Sequence, residues 1–87
     1  MRYEWDADKR RANLDKHGLD FADVERGFDW ELALLDEDDA RAEQRDQAIG
    51  YLFQQVVVLV YTLRGDACRI ISLRRADPRE RRAYERS

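Results

Sequence analysis

Apolar positions are spread unevenly along this chain, and the longest run of them lies in its second half. Residues 56–63 (Val-Val-Val-Leu-Val-Tyr-Thr-Leu... in part Val56, Val58, Val60 and Leu63) carry no charge and are rich in β-branched and aromatic types. That composition predicts a central strand buried on both faces. Arg64-Gly65-Asp66-Ala67 follows as a tight turn, in which Gly65 can take positive φ without steric cost, as the first central position of a type II′ hairpin requires. The next run alternates: Arg69, Ile71, Leu73 and Arg75 fall on one face, and Ile70, Ser72 and Arg74 on the other.

Earlier in the chain the pattern predicts a short opening strand at residues 2–5 and a helix over residues 7–17. Asp6 is placed to cap that helix and Gly18 to end it in the left-handed conformation. Leu14 is its only large apolar side chain, so the helix is expected to be mostly exposed, and Lys16 and His17 in the last turn suit the helix dipole. A second helix is expected from Asp20 to about Gly27, with Phe21, Val24 and Phe28 at helical spacing. Residues 30–35 predict a strand, residues 36–39 an acidic loop, residues 43–51 a third strand and residues 52–55 the turn into the central hairpin. After the hairpin, Asp77-Pro78-Arg79-Glu80 combines a capping aspartate, a proline at the first helical position and a glutamate three residues on. The helix it starts, residues 78–86, is too short to stand alone, and Tyr84 is its expected docking contact. The order is β-α-α-β-β-β-β-α, an α+β fold around a four- to five-stranded, mainly antiparallel sheet with helices expected on one side.

Composition narrows the picture. The chain's 87 residues predict a single domain spanning 1–87. One cysteine and one histidine offer no Cys/His metal set and no internal disulfide, which suits a reducing cytoplasm. The acidic run Asp36-Glu37-Asp38-Asp39 lacks the glycine and closing glutamate of a calcium loop, so a solvated loop is expected and no metal or other cofactor. No apolar run reaches the ~20 residues that span a bilayer, and Met1-Arg2-Tyr3-Glu4-Trp5-Asp6 does not open a signal peptide. The net charge of −3 hides an asymmetry: residues 1–63 hold eight Lys/Arg against fifteen Asp/Glu, whereas residues 64–87 hold eight arginines against four acids. Arginine forks onto phosphate oxygens with two donors, so the second region suggests an anionic ligand and the first a cationic partner.

Several pieces together resemble the BrnT family, the toxin half of a bacterial type II toxin–antitoxin pair. They are Trp5-Asp6 with Lys9 and Asn13, Lys16-His17-Gly18 with Phe21, and Glu43 and Arg45 ahead of Ala48-Ile49-Gly50. Val60-Tyr61-Thr62, Arg64, Arg69-Ile70-Ile71-Ser72, Arg74-Arg75-Ala76, Glu80-Arg81 and Tyr84 complete the set. Leu73 stands where a small residue is common, which implies altered strand packing or a narrower site. The resemblance implies a RelE-like fold and a ribonuclease that cuts RNA and arrests growth. It also implies a BrnA-like antitoxin with a ribbon-helix-helix DNA-binding domain, through which alone the pair would bind and repress its own promoter DNA.

Cleavage of RNA without a metal needs a base for the 2′-OH, an acid for the leaving 5′-oxygen and cations for the crowded phosphate. The catalytic candidates are Arg64, Arg74, Glu80, Tyr84, His17 and Glu43; Arg45, Arg69, Arg75 and Lys9 are candidates for holding RNA phosphate, and Lys9 and Lys16 are expected to contact RNA phosphate or the antitoxin rather than to transfer a proton. Strand parity places only Arg74 of the Arg74-Arg75 pair on the face of Ser72. Each candidate has a plainer role open to it. The arginines pair readily with Asp66 or Asp77, Glu80 completes a helix cap, Tyr84 docks a helix, and Glu43 with Arg45 pairs across strands. Histidine is the side-chain type that titrates near neutrality, yet His17 also fits an ordinary helix terminus. Two functions of different class therefore stand: an endoribonuclease toxin, and a non-catalytic module that binds the antitoxin and tunes its DNA binding.

Overall fold

The computed structural model describes residues 1–37 and 45–87. Their elements are β1 (Arg2–Trp5), α1 (Ala7–His17), α2 (Ala22–Gly27), β2 (Leu34–Glu37), β3 (Asp46–Leu52), β4 (Gln55–Arg64), β5 (Ala67–Arg75) and α3 (Pro78–Arg86). The five strands form one sheet in the order β1-β5-β4-β3-β2. β1 runs parallel to β5, and the other neighbours are antiparallel. This is the α+β order the hydrophobic pattern predicts.

The uncharged run of β4 explains its central place. Val57, Leu59 and Tyr61 point to the main core, while Val56 and Val58 are buried on the opposite face. The core is closed by Ala48 and Leu52 of β3, Cys68, Ile70 and Leu73 of β5, and Leu19, Phe21, Val24 and Phe28 from the α2 region. Burial pushes the Cys68 thiol up to about 11, so this cysteine is a small packed side chain.

Both ends of α1 follow the expected chemistry. The Asp6 carboxylate accepts from the Asp8 and Lys9 amides at 2.8 and 3.1 Å, and Gly18 takes φ +69° while its N–H donates to the Leu14 carbonyl. At the central hairpin φ is positive at Gly65 (+59°) and not at Asp66, as a type II′ turn requires.

Three expectations are corrected. The strand predicted at residues 30–35 starts only at Leu34, because the Asp29 carboxylate accepts from the Glu31 and Leu32 amides and holds a turn there. Asp36 and Glu37 consequently belong to β2 and not to an acidic loop, while Asp38 and Asp39 lie outside the described residues. The helices do not keep to one side either. Tyr84 of α3 is buried against Tyr51, ring centroids 5.3 Å apart, and Tyr51 pairs with Val56 on the face away from the main core.

The third correction concerns β5. Val60 pairs with Ser72 but Tyr61 pairs with Ile70, so Ile71 is an extra residue, a β-bulge. The bulge resets the alternation. Ile70 and Leu73 both face the core, opposite Tyr61 and Leu59, while Arg69, Ser72 and Arg74 share the other face with Thr62, Val60 and Val58. Leu73 is fully buried in the core, so its bulk is taken up by packing and does not project beside Ser72 or Arg74.

Candidate functional site

Beside the bulge, α1 and β5 form the two walls of a cleft of about 320 Å³. Lys9, Ala12, Asn13, Lys16 and His17 line it from α1, Ile71 and Ser72 from β5, and Arg45 from the residue preceding β3. The α1 residues are three or four apart, so the helix presents them on one face. Lys9 and Lys16 are exposed, and His17, Arg45 and Ser72 are half-buried. Among the described residues, no carboxylate lines it. The cleft thus gathers three cations and the only histidine, a field suited to an anion.

Arg74, on the same sheet face as Ser72, is held by Glu80. Its two terminal nitrogens donate to the two carboxylate oxygens at 2.7 and 2.8 Å. Glu80 Oε1 also accepts from the Asp77 amide at 2.9 Å, and the Glu80 amide donates to Asp77, which completes the capping box of α3. The Arg74 guanidinium, with help from the Asp77 amide, lowers the Glu80 carboxyl below its ordinary range and thereby weakens it as a base. Arg74 itself is raised by the same partner.

The other candidates are distributed around this centre. Arg69 shares the Arg74 face and approaches Glu4 at 3.9 Å. Arg64 is exposed at the end of β4, six residues from Val58, the partner of Arg74, which is roughly 20 Å along a strand. Arg64 and Arg74 are therefore too far apart to grip one phosphate. Arg75 has opposite parity to Arg74; its Nε donates to the Gln55 amide oxygen at 3.0 Å and its terminal nitrogen to the His17 carbonyl at 2.9 Å. It braces the end of α1. Tyr84 turns its ring onto Tyr51, and burial raises its hydroxyl above the usual range. Asp66, a partner considered for the arginines, meets Arg2 instead at 3.3 Å. Glu43 lies outside the described residues.

Two members of the arrangement escaped residue-by-residue reasoning. Ser72 served there only as a parity marker, yet it lines the cleft. Asn13 is buried at 7% exposure in a helix that otherwise shows charge to solvent. The signal for it was available: asparagine is a poor helix-interior residue, and this one is far from either cap.

Comparison with family models gives a match over residues 5–80, to the family described as the ribonuclease toxin, BrnT, of type II toxin–antitoxin systems. Comparison with curated proteins gives no match. The matched span runs from the last residue of β1 to the Glu80 that holds Arg74, and so includes the whole α1–β5 cleft. The chain belongs to the BrnT family of ribonuclease toxins of type II toxin–antitoxin systems.

Proposed function

We propose that the whole chain, residues 1–87, is one toxin domain that cuts RNA endonucleolytically in the α1–β5 cleft, by attack of a 2′-OH on the adjacent phosphorus and without a metal ion. The observation that carries this reading is the meeting of His17, Lys9, Lys16 and Arg45 around Ser72. His17 takes the proton of the attacking 2′-OH, because histidine is the side-chain type suited to proton transfer near neutrality. The lysine ammonium groups supply the proton to the leaving 5′-oxygen, and Arg45 with the lysines stabilises the charge that builds on the phosphate. Arg74, aligned by Glu80, holds a neighbouring phosphate on the Ser72 face, and Arg69 and Arg64 extend the track along the strands. The requirement for a 2′-OH makes RNA, and not DNA, the substrate.

In this reading the toxin acts in the cytoplasm, arrests growth, and is neutralised by a BrnA-like antitoxin whose ribbon-helix-helix domain carries the pair to its own promoter. Family membership supports an antitoxin partner. No helix among the described residues is long and apolar enough to cross a membrane.

The test uses the purified chain, freed of any co-purified partner, on naked RNA in EDTA. Cleavage leaving 2′,3′-cyclic phosphate and 5′-hydroxyl ends, reduced about a hundredfold in Arg74→Ala, is the expected result for loss of one preorganised phosphate contact. Intact RNA from the folded protein, or cleavage that needs added Mg²⁺, would sink the metal-free mechanism.

A further inference from the structure

Resting on the reading of the α1–β5 cleft as the cleavage site, we propose that Asn13 is a positioning residue that fixes the helix wall of the cleft against its strand wall. The β1–β5 ladder ends where Trp5 pairs with Ile70, yet β5 continues to Arg75. Past the bulge, the Asn13 side chain takes the place of the missing strand. The Leu73 amide donates to Asn13 Oδ1 at 3.1 Å, and Asn13 Nδ2 donates to the Leu73 carbonyl at 2.8 Å. A carboxamide carries the same donor and acceptor as a peptide group, so it pairs with one strand residue as another strand would. The second Nδ2 hydrogen goes to the Leu19 carbonyl at 3.0 Å, which ties down the chain leaving α1.

The consequence for the site is geometric. Lys9 is four residues before Asn13, and Lys16 and His17 are three and four after it, all on one helix face. Ser72 and Arg74 flank Leu73. One buried side chain therefore sets how His17 and the lysines stand relative to Ser72 and Arg74. Among the described residues it is the one polar side chain buried to this degree.

The test compares Asn13→Ala with Val24→Ala, a core truncation in α2 at a residue that does not line the cleft, both assayed well below their melting temperatures. In Asn13→Ala kcat is expected to fall about thirtyfold or more, in line with the cost of ångström-scale misplacement, while KM for RNA moves less than about threefold. Val24→Ala should stay near the parent in both. Equal kcat losses in the two variants, or a loss confined to KM, would overturn the proposal. A second measurement needs no variant: in the parent protein the Leu73 amide should exchange with solvent as slowly as that of Leu59. Fast exchange at Leu73 would refute the tie whatever the kinetics show. Should the parent leave RNA uncut, that result counts against the ribonuclease reading. Asn13 is then judged by whether its loss, unlike that of Val24, shifts the Ser72, Arg74 and His17 resonances, and unmoved resonances reject it.

Discussion

The two faces of the sheet are built from the same strands and do opposite work. On the core face, β4 and β5 set Leu59 against Leu73 and Tyr61 against Ile70, all buried among Phe21, Val24 and Phe28. On the other face the same strands set Val58 against Arg74, Val60 against Ser72 and Thr62 against Arg69. The core face draws its energy from apolar area removed from water, which ionic screening does not weaken. The arginine face holds its cations half-exposed, where each is either paired, as Arg74 is by Glu80, or available to an anion. A single extra residue, Ile71, separates these roles. Without it Arg69 would have core-face parity, and the basic surface would be divided between the two sides.

If the division is right, truncations on the two faces should have separable effects. The largest is expected at His17. His17→Ala should lower the cleavage rate by about 10²–10⁴-fold, the range for loss of a general acid–base group, with the melting temperature nearly unchanged. A rate within threefold of the parent would remove His17 from the chemistry. Leu59→Ala should do the reverse. Leu59 is fully buried in the core, so its truncation should cost about 3 kcal/mol in a denaturant titration. Cleavage by the fraction that remains folded should be retained.

Two smaller effects compare the molecule's paired arginine forks. Arg10 grips Asp20 at 2.7 and 2.9 Å on the scaffold side, and this fork holds the Asp20 carboxyl down to about 2. A carboxyl depressed below its unfolded value of about 3.9 contributes stability that is present above pH ~4 and lost as pH falls from ~4 towards ~2. Asp20→Asn should therefore flatten the stability profile in that window. Because the pair is partly exposed, the loss at neutral pH should be on the order of 1 kcal/mol. Urea titrations at pH 2.5 and pH 7 would check it. Glu80→Gln probes the other fork while leaving a residue able to complete the helix cap. With Glu80 acting to aim Arg74, the rate should fall by less than about tenfold; a hundredfold loss would mean that Glu80 itself transfers a proton.

Much of this was legible from the sequence, for identifiable reasons. The uncharged run of β4, the caps of α1 and α3 and the positive φ of Gly65 are local signals, set by side chains within a few residues. The bulge at Ile71 was not legible from alternation alone, because it depends on where β1 stops and on what pairs with β5 beyond that point. The late start of β2 was missed because the Asp29 turn competes with an alternating pattern that fits a strand equally well. For the site, residue types and family resemblance singled out His17, Lys9 and Arg45 separately; only the fold brings them to one cleft with Ser72. Strand parity already separated Arg75 from Arg74 in sequence; what the fold adds is that Arg75 is a strut for α1.

The most direct test of where RNA binds uses a 2′-O-methyl RNA oligonucleotide, which lacks the attacking hydroxyl and cannot be cut by this route. Titrated into ¹⁵N-labelled protein, it should shift the amides of Lys9, Lys16, His17, Ser72 and Arg74 together and leave Val24 and Phe28 still. Shifts confined to α2 or to β2, with the α1–β5 cleft silent, would contradict the assignment of that cleft as the site of RNA cleavage.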